Sequence, residues 1–192
     1  MMRLNKIAVL ILCICFSGLH QSVAQKEPVN KKILETFLDA QNKPQYPAEE
    51  ITALSGNWLL DGALITANEK LDIRPKAPRL LGPRAINQEN GFISTGFDIK
   101  GLNTVRVGFI GFKADEGYFA VEVFVSKDQG RNWASLGVRR GDPTKESETI
   151  AEYKISNKKQ EAYSVKIVNA SAPKSNRLNR INITEVQFEY GE

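Results

Sequence analysis

YFAVEVFVSKDQGRNWASLGV, residues 118–138, decides the fold. Phe119, Val121, Val123 and Val125 stand at every second position, so in an extended chain they share one side. The other side carries Tyr118, Ala120, Glu122, Phe124 and Ser126, a mixed face suited to solvent or to a second layer. Residues 127–132, with Asp128 and Gly130 at their centre, turn the chain back. An Asp side chain accepts from backbone N–H groups two residues on, and Gly takes positive φ without a Cβ clash. The return strand begins at Trp133 and alternates through Ala134, Leu136 and Val138. The expectation is a β-hairpin with a defined turn.

Outward from this hairpin the pattern repeats. Upstream, residues 104–112 (TVRVGFIGF) place Val105, Val107 and Phe109 on one face, with Gly108 and Gly111 thinning the other for a bend or close packing. Residues 91–99 form a strand before a Lys100-Gly101 turn. Residues 58–66 (WLLDGALIT) set two apolar pieces around Asp61-Gly62, a hairpin signal. Residues 79–81 read as a short strand, Pro44 and Pro47 enforce a loop over 41–50, and 32–40 fits either two helical turns or an opening strand. Downstream come strands at 149–155 and 163–168, then a last strand over 180–190. In that last strand Ile181 and Ile183 are odd-numbered but Val186, Phe188 and Tyr190 are even-numbered. One extra residue near Thr184-Glu185 keeps both sets inward, which predicts a β-bulge. Short strands at spacings of roughly 8–12 residues, with no βαβ alternation, give an all-β chain forming a single antiparallel sandwich.

The start of the chain sets an address. Arg3 and Lys6 precede the apolar run IAVLILCICF (residues 7–16), and Ser22-Val23-Ala24 offers a cleavage site, the pattern of a secretory signal peptide over 1–24. The run falls short of the roughly 20 apolar residues that a spanning helix needs, so no transmembrane segment is expected. Residues 25–32 read as an exposed lead-in and 33–192 as the domain. Removing 24 of the 192 residues takes away Cys13, Cys15 and His20, the whole cysteine and histidine content. It also leaves 24 Lys+Arg against 22 Asp+Glu, since Arg3 and Lys6 go too. Near-balanced charge gives no basis for nucleic-acid binding. A chain of that size buries a sufficient core without disulfides.

Two resemblances add to this. Ser126-x-Asp128-x-Gly130-x-x-Trp133 resembles the Asp-box of sialidases and other secreted β proteins, with Asn132 where the motif usually has Thr. There the Asp ties the turn and the Trp packs under it, so the likeness implies a folding device and no catalytic role for Asp128. Taken in order, residues 55–66, 78–82 (PRLLG), 91–109, 123–137 and 180–188 (RINITEVQF) resemble jelly-roll modules of exported bacterial proteins. These modules are similar to carbohydrate-binding and galactose-binding-like domains, and the likeness covers about 35–190. It implies a jelly-roll sandwich. It also implies a structural calcium held by acids near the first and last strands, here Glu35, Asp39 and Glu185. Thr184 stands where the family often has Asp.

Without His or Cys the exported chain lacks a Ser-His-Asp triad, a Cys nucleophile and a His/Cys zinc site. A carboxylate pair about 5–10 Å apart, as in glycoside hydrolases, is the remaining enzymatic route. Glu122 is the acid of interest; its structural role is either to face solvent or to pair with Arg106 across a ladder. Sugar recognition needs an open aromatic face and planar polar groups, which points to Phe112, Tyr118, Arg139, Arg140 and Asp142 on two loops, with Trp58 and Trp133 left to the core. The sequence therefore indicates an exported, non-catalytic module of the periplasm or cell surface that binds carbohydrate or another envelope ligand. The alternatives are an envelope protein-interaction or scaffold protein and a carboxylate-based glycoside hydrolase. The Arg140-Gly141-Asp142 triplet and the sequons at Asn169 and Asn182 carry no functional assignment.

Overall fold

The computed structural model describes residues 30–67, 70–82, 90–157, 160–173 and 179–191. The expected signal peptide and the first residues of the lead-in lie outside the described residues. Those described contain fifteen strands and no helix, and therefore no helix long and apolar enough to cross a membrane. In chain order the strands are β1 (Asn30–Glu35), β2 (Glu49–Ala53), β3 (Gly56–Asp61), β4 (Ala63–Leu64), β5 (Arg79–Leu80), β6 (Phe92–Thr95), β7 (Ile99–Lys100) and β8 (Leu102–Gly111). They continue as β9 (Gly117–Tyr118), β10 (Ala120–Ser126), β11 (Ala134–Arg140), β12 (Thr149–Lys154), β13 (Ala162–Asn169), β14 (Ala172–Pro173) and β15 (Ile181–Gly191).

One sheet runs β12-β8-β15-β5-β4, with β1 also on β15; the other runs β11-β10-β13-β6-β3-β2, with β7 on β13. Every pairing is antiparallel, and the two sheets pack as a jelly-roll sandwich. The opening hairpin and its turn form as read, except that a bulge at Leu136 breaks the expected alternation of Ala134, Leu136 and Val138 and turns Val138 outward. β10 pairs β11, and Phe119, Val121, Val123 and Val125 all lie in the core. They face Val105, Val107 and Phe109 of β8 and Ile181, Ile183, Val186 and Phe188 of β15, all buried.

The bulge in the last strand is present. Ile183 pairs Phe109 and Glu185 pairs Gly108, so Thr184 is the extra residue, and both parity sets point inward. Gly108 is required opposite it, because a Cβ there would collide with the Thr184 hydroxyl and the Glu148 carboxylate.

Three expectations are corrected. Asp61-Gly62 does not close a hairpin. Gly62, at φ +58°, turns the chain out of the sheet holding β3 and into the sheet holding β4, a corner between layers. Turn chemistry specifies the bend there and leaves the partner strand open. The hairpin of this region is β2–β3, closed by Leu54 and Ser55 between Ala53 and Gly56. Secondly, the lead-in ends earlier than residue 32: Asn30 to Lys32 already pair with β15. Thirdly, Glu122 and Arg106 belong to opposite sheets. Glu122 accepts from Ser135 Oγ at 2.5 Å, and Arg106 pairs with Glu152 at 3.4 Å.

Asn169 and Asn182 are fully buried and hydrogen-bonded, Asn169 to the Leu80 and Asn179 carbonyls and Asn182 to Asp72. Neither sequon presents its amide to solvent.

Candidate functional site

The loops singled out by sequence meet at one end of the β10–β11 hairpin, but their residues divide into scaffold and surface. Tyr118 is the exposed aromatic of the set, at 63%. The Arg140 guanidinium lies 5.8 Å from its ring centroid. Beside them Glu116, Gly117, Tyr118, Pro143 and Lys145 line an open cleft of about 420 Å³.

Phe112 does not belong to this surface. It is 1% exposed and lies between two guanidinium groups, Arg180 at 4.2 Å and Arg79 at 4.8 Å from its centroid. Its place after the last residue of β8 suggested a loop. Two cations stacked on its faces instead seal it into the end of the sandwich.

Asp142 is spent on its own loop. Its carboxylate accepts from the Thr144 N–H and hydroxyl and from the Ser147 N–H and hydroxyl, and these bonds hold its carboxyl down to about 2. Lys145 Nζ donates to the Lys113 and Asp115 carbonyls, tying the two loops together. Arg139 is exposed at the rim of the edge strand, and its guanidinium lies 5.1 Å from the ring of Tyr153, whose hydroxyl donates across the sandwich to the Val121 carbonyl. Of the five expected residues, Tyr118, Arg139 and Arg140 are exposed, Arg139 reaching Tyr153 and Arg140 reaching Tyr118.

The other end of the same hairpin holds a site that sequence reasoning missed. Trp133, assigned to the core, is only half-buried. Its ring meets Lys166, whose ammonium lies 4.7 Å from the Trp133 centroid, 5.2 Å from Phe124 and 5.5 Å from Phe92. Phe124 and Lys166 are cross-strand partners on β10 and β13, and Ser94 of β6 is the next neighbour in that row. All three face away from the core, because Val123, Val125, Val165, Ile167 and Ile93 take the inward positions. The outer side of the sheet thus carries three aromatic rings around one ammonium. The signal was present as Phe124 and Lys166 on the mixed faces of their strands; Phe92 and Trp133 join them only through strand order.

The turn that delivers Trp133 is fixed by Asp128. Ser126 Oγ donates to Asp128 Oδ1 at 2.7 Å and accepts from Gly130 N at 2.8 Å. The Asn132 amide side chain and N–H donate to the two Asp128 oxygens at 2.6 and 2.9 Å. These bonds, the Asn132 side chain first, then Ser126, hold the Asp128 carboxyl at about 2. A carboxyl held below its ordinary value stabilises the folded turn above the ordinary carboxylate range and loses that contribution as pH falls through about 2. An NMR titration of the Asp128 carboxyl is expected to show its midpoint near 2. The Trp133 indole shift is expected to follow it between about pH 4 and 2, and Asp128→Asn to abolish that dependence.

The three residues expected to hold calcium do not form one ligand set. Glu35 is buried, and its carboxylate accepts from the Phe37 N–H, the Ser55 N–H and the Ser55 hydroxyl. Asp39 is exposed, while Glu185 lies at the bulge beside Glu148 and Arg74. Burial, and then Glu185, raises the Glu148 carboxyl, with Arg74 opposing, and Glu148 accepts from the Thr184 hydroxyl. Among the described residues no group of three or more His, Cys, Asp or Glu side chains is placed to hold a metal ion.

No protein-family model matches the chain, and no curated protein matches it. Solved structures similar to it include a family 43 arabinoxylan arabinofuranohydrolase from Bacillus subtilis (12% identity, TM-score 0.45, 77% of this chain and 28% of that one). Others are the CBM36-1 domain of a multidomain xylanase from the hindgut metagenome of Trinervitermes trinervoides (10%, 0.43, 82% and 96%) and a family 29 carbohydrate-binding module from Piromyces equi (12%, 0.42, 86% and 92%). The chain spans under a third of the first of these and nearly all of the two modules.

Proposed function

We propose that the protein is an exported, non-catalytic module that binds carbohydrate on the outer face of the sheet containing β10 and β13. The observation that carries this is the grouping of Trp133, Phe124 and Phe92, all half-buried, around Lys166 on the outer side of the sheet. Aromatic faces take up the C–H side of a sugar ring, and nearby donors and acceptors bind its hydroxyls. Lys166 supplies a cationic donor, and the Glu122–Ser135 pair supplies an acceptor and a hydroxyl on the same face. Export is supported by the charged, apolar and small-residue pattern of residues 1–24. The absence of His and Cys from the chain that follows favours binding over catalysis.

The test is a glycan array and polysaccharide pulldown, with and without calcium. Saturable binding is expected, and Trp133→Ala should weaken it about 30-fold, the loss of roughly 2 kcal/mol that a central aromatic anchor supplies. A thermal melt of the variant separates lost contact from lost fold. No binding to any glycan by the folded protein would overturn the proposal and favour a protein-interaction role in the envelope.

A further inference from the structure

We infer that the ligand is an extended polysaccharide segment lying on the β10–β11 hairpin from Trp133 to Tyr118. This rests on the carbohydrate-binding reading above and adds the shape of the ligand to it.

The register places both surfaces on one side of one ribbon. Phe124 pairs Ser135, Glu122 pairs Val138 and Ala120 pairs Arg140. Side chains alternate along a strand. Arg139 turns in to Tyr153, so Arg140 turns out, and it meets Tyr118 there. The outward row therefore runs from Trp133 through Phe124 and Ser135, past Glu122 and Val138, to Arg140 and Tyr118. Val138, midway, is 47% exposed. The bulge between Val123 and Phe124 gives β11 its extra residue, Leu136, which packs on the core and leaves Val138 on the outer row. In the strand order β11 ends the sheet, so the row lies along its rim.

The six steps from Ala134 to Arg140 span about 20 Å at strand rise. That length exceeds a mono- or disaccharide, which reaches one end only. The chemistry at the two ends matches: an aromatic ring beside a cationic donor, Trp133 with Lys166 and Tyr118 with Arg140. The Glu122–Ser135 pair lies between them. Both ends are also built in advance of a ligand. Asp128 ties the Trp133 turn, while the Asp142 loop and the Lys145 bridge hold the Tyr118 end, where Gly141 N donates to the Phe119 carbonyl at 2.8 Å. Preorganisation of this kind lowers the ordering cost of binding. An extended chain satisfies both ends.

The experiment is calorimetric titration with β-1,4-gluco-, β-1,4-xylo- and β-1,3-gluco-oligosaccharides, from disaccharide to octasaccharide. Affinity in the series that binds is expected to rise with length and then level off once the chain covers both ends. Tyr118→Ala and the milder Arg140→Gln should each weaken the longest ligands about tenfold and the disaccharide by less; Trp133→Ala should weaken every length. Affinity independent of length, or a Tyr118→Ala effect equal at all lengths, overturns the spanning ligand and leaves carbohydrate binding standing. Failure of every length to bind overturns both.

Discussion

Trp58→Ala is expected to destabilise the sandwich by about 3–5 kcal/mol, a large part of the stability of a domain this size. Trp58 is 0% exposed and meets aromatic rings from three directions. Phe37 approaches edge-on at 5.1 Å and Phe97 at 6.1 Å, and Phe188 stacks at 6.2 Å. Because Phe188 belongs to the facing sheet, the indole joins the two layers. Its Nε1 donates to Ser55 Oγ at 2.9 Å, and that hydroxyl donates to Glu35 Oε2 at 2.7 Å. Truncation therefore opens a cavity between the sheets and removes a donor from a buried chain of hydrogen bonds. A urea titration should show a lower midpoint with an unchanged slope. A loss below about 1 kcal/mol would mean that the surrounding rings collapse into the space.

The second large effect is expected at the sealed end beside the Tyr118 cleft. Asp115→Ala should cost about 3 kcal/mol, the lower part of the range for breaking a buried ion pair, since the Arg180 side chain keeps 22% exposure. Asp115 Oδ2 accepts from the Arg180 N–H and Nε at 2.7 and 2.8 Å, and Oδ1 accepts from Nη2 at 2.7 Å. Without that carboxylate Arg180 loses its counter-ion while still stacked on Phe112, whose other contact is the Arg79 guanidinium. Thermal denaturation of Asp115→Ala, Arg180→Met and the double variant tests this. The double variant is expected to be more stable than the sum of the single losses, because it removes the uncompensated charge. Additive losses would count against the pair acting as a unit.

The two predictions bear on how the molecule was legible. The inward faces of β8, β10 and β15 could be read from alternation alone, including the parity change in β15 that requires the bulge at Thr184; in β11 alternation misses the bulge at Leu136. The turn at Asp128 could be read from the side-chain chemistry of four residues close in sequence. Local misreadings arose where an apolar or polar residue took its role from a distant partner. Trp133, assigned to the core, is only half-buried because Lys166 of β13 meets its ring on the outer side of the sheet. Phe112 is buried because Arg79 of β5 and Arg180, just before β15, arrive on it from distant parts of the chain.

The sequence by itself determined the class of fold, the hairpin and its turn, the inward residues and the aromatic at Tyr118. Each of these follows from period-two alternation or from hydrogen bonds spanning a few residues, interactions that neighbours in the chain specify. Only the tertiary structure decided which sheet each strand joins and where Asp61-Gly62 sends the chain. It also decided which outward side chains stand together. Lys166 comes from β13, Phe124 from β10, Phe92 from β6 and Trp133 from a turn, and strand order alone makes them neighbours. That order is set by how the two apolar faces close on each other over the whole chain, which short-range pattern does not encode.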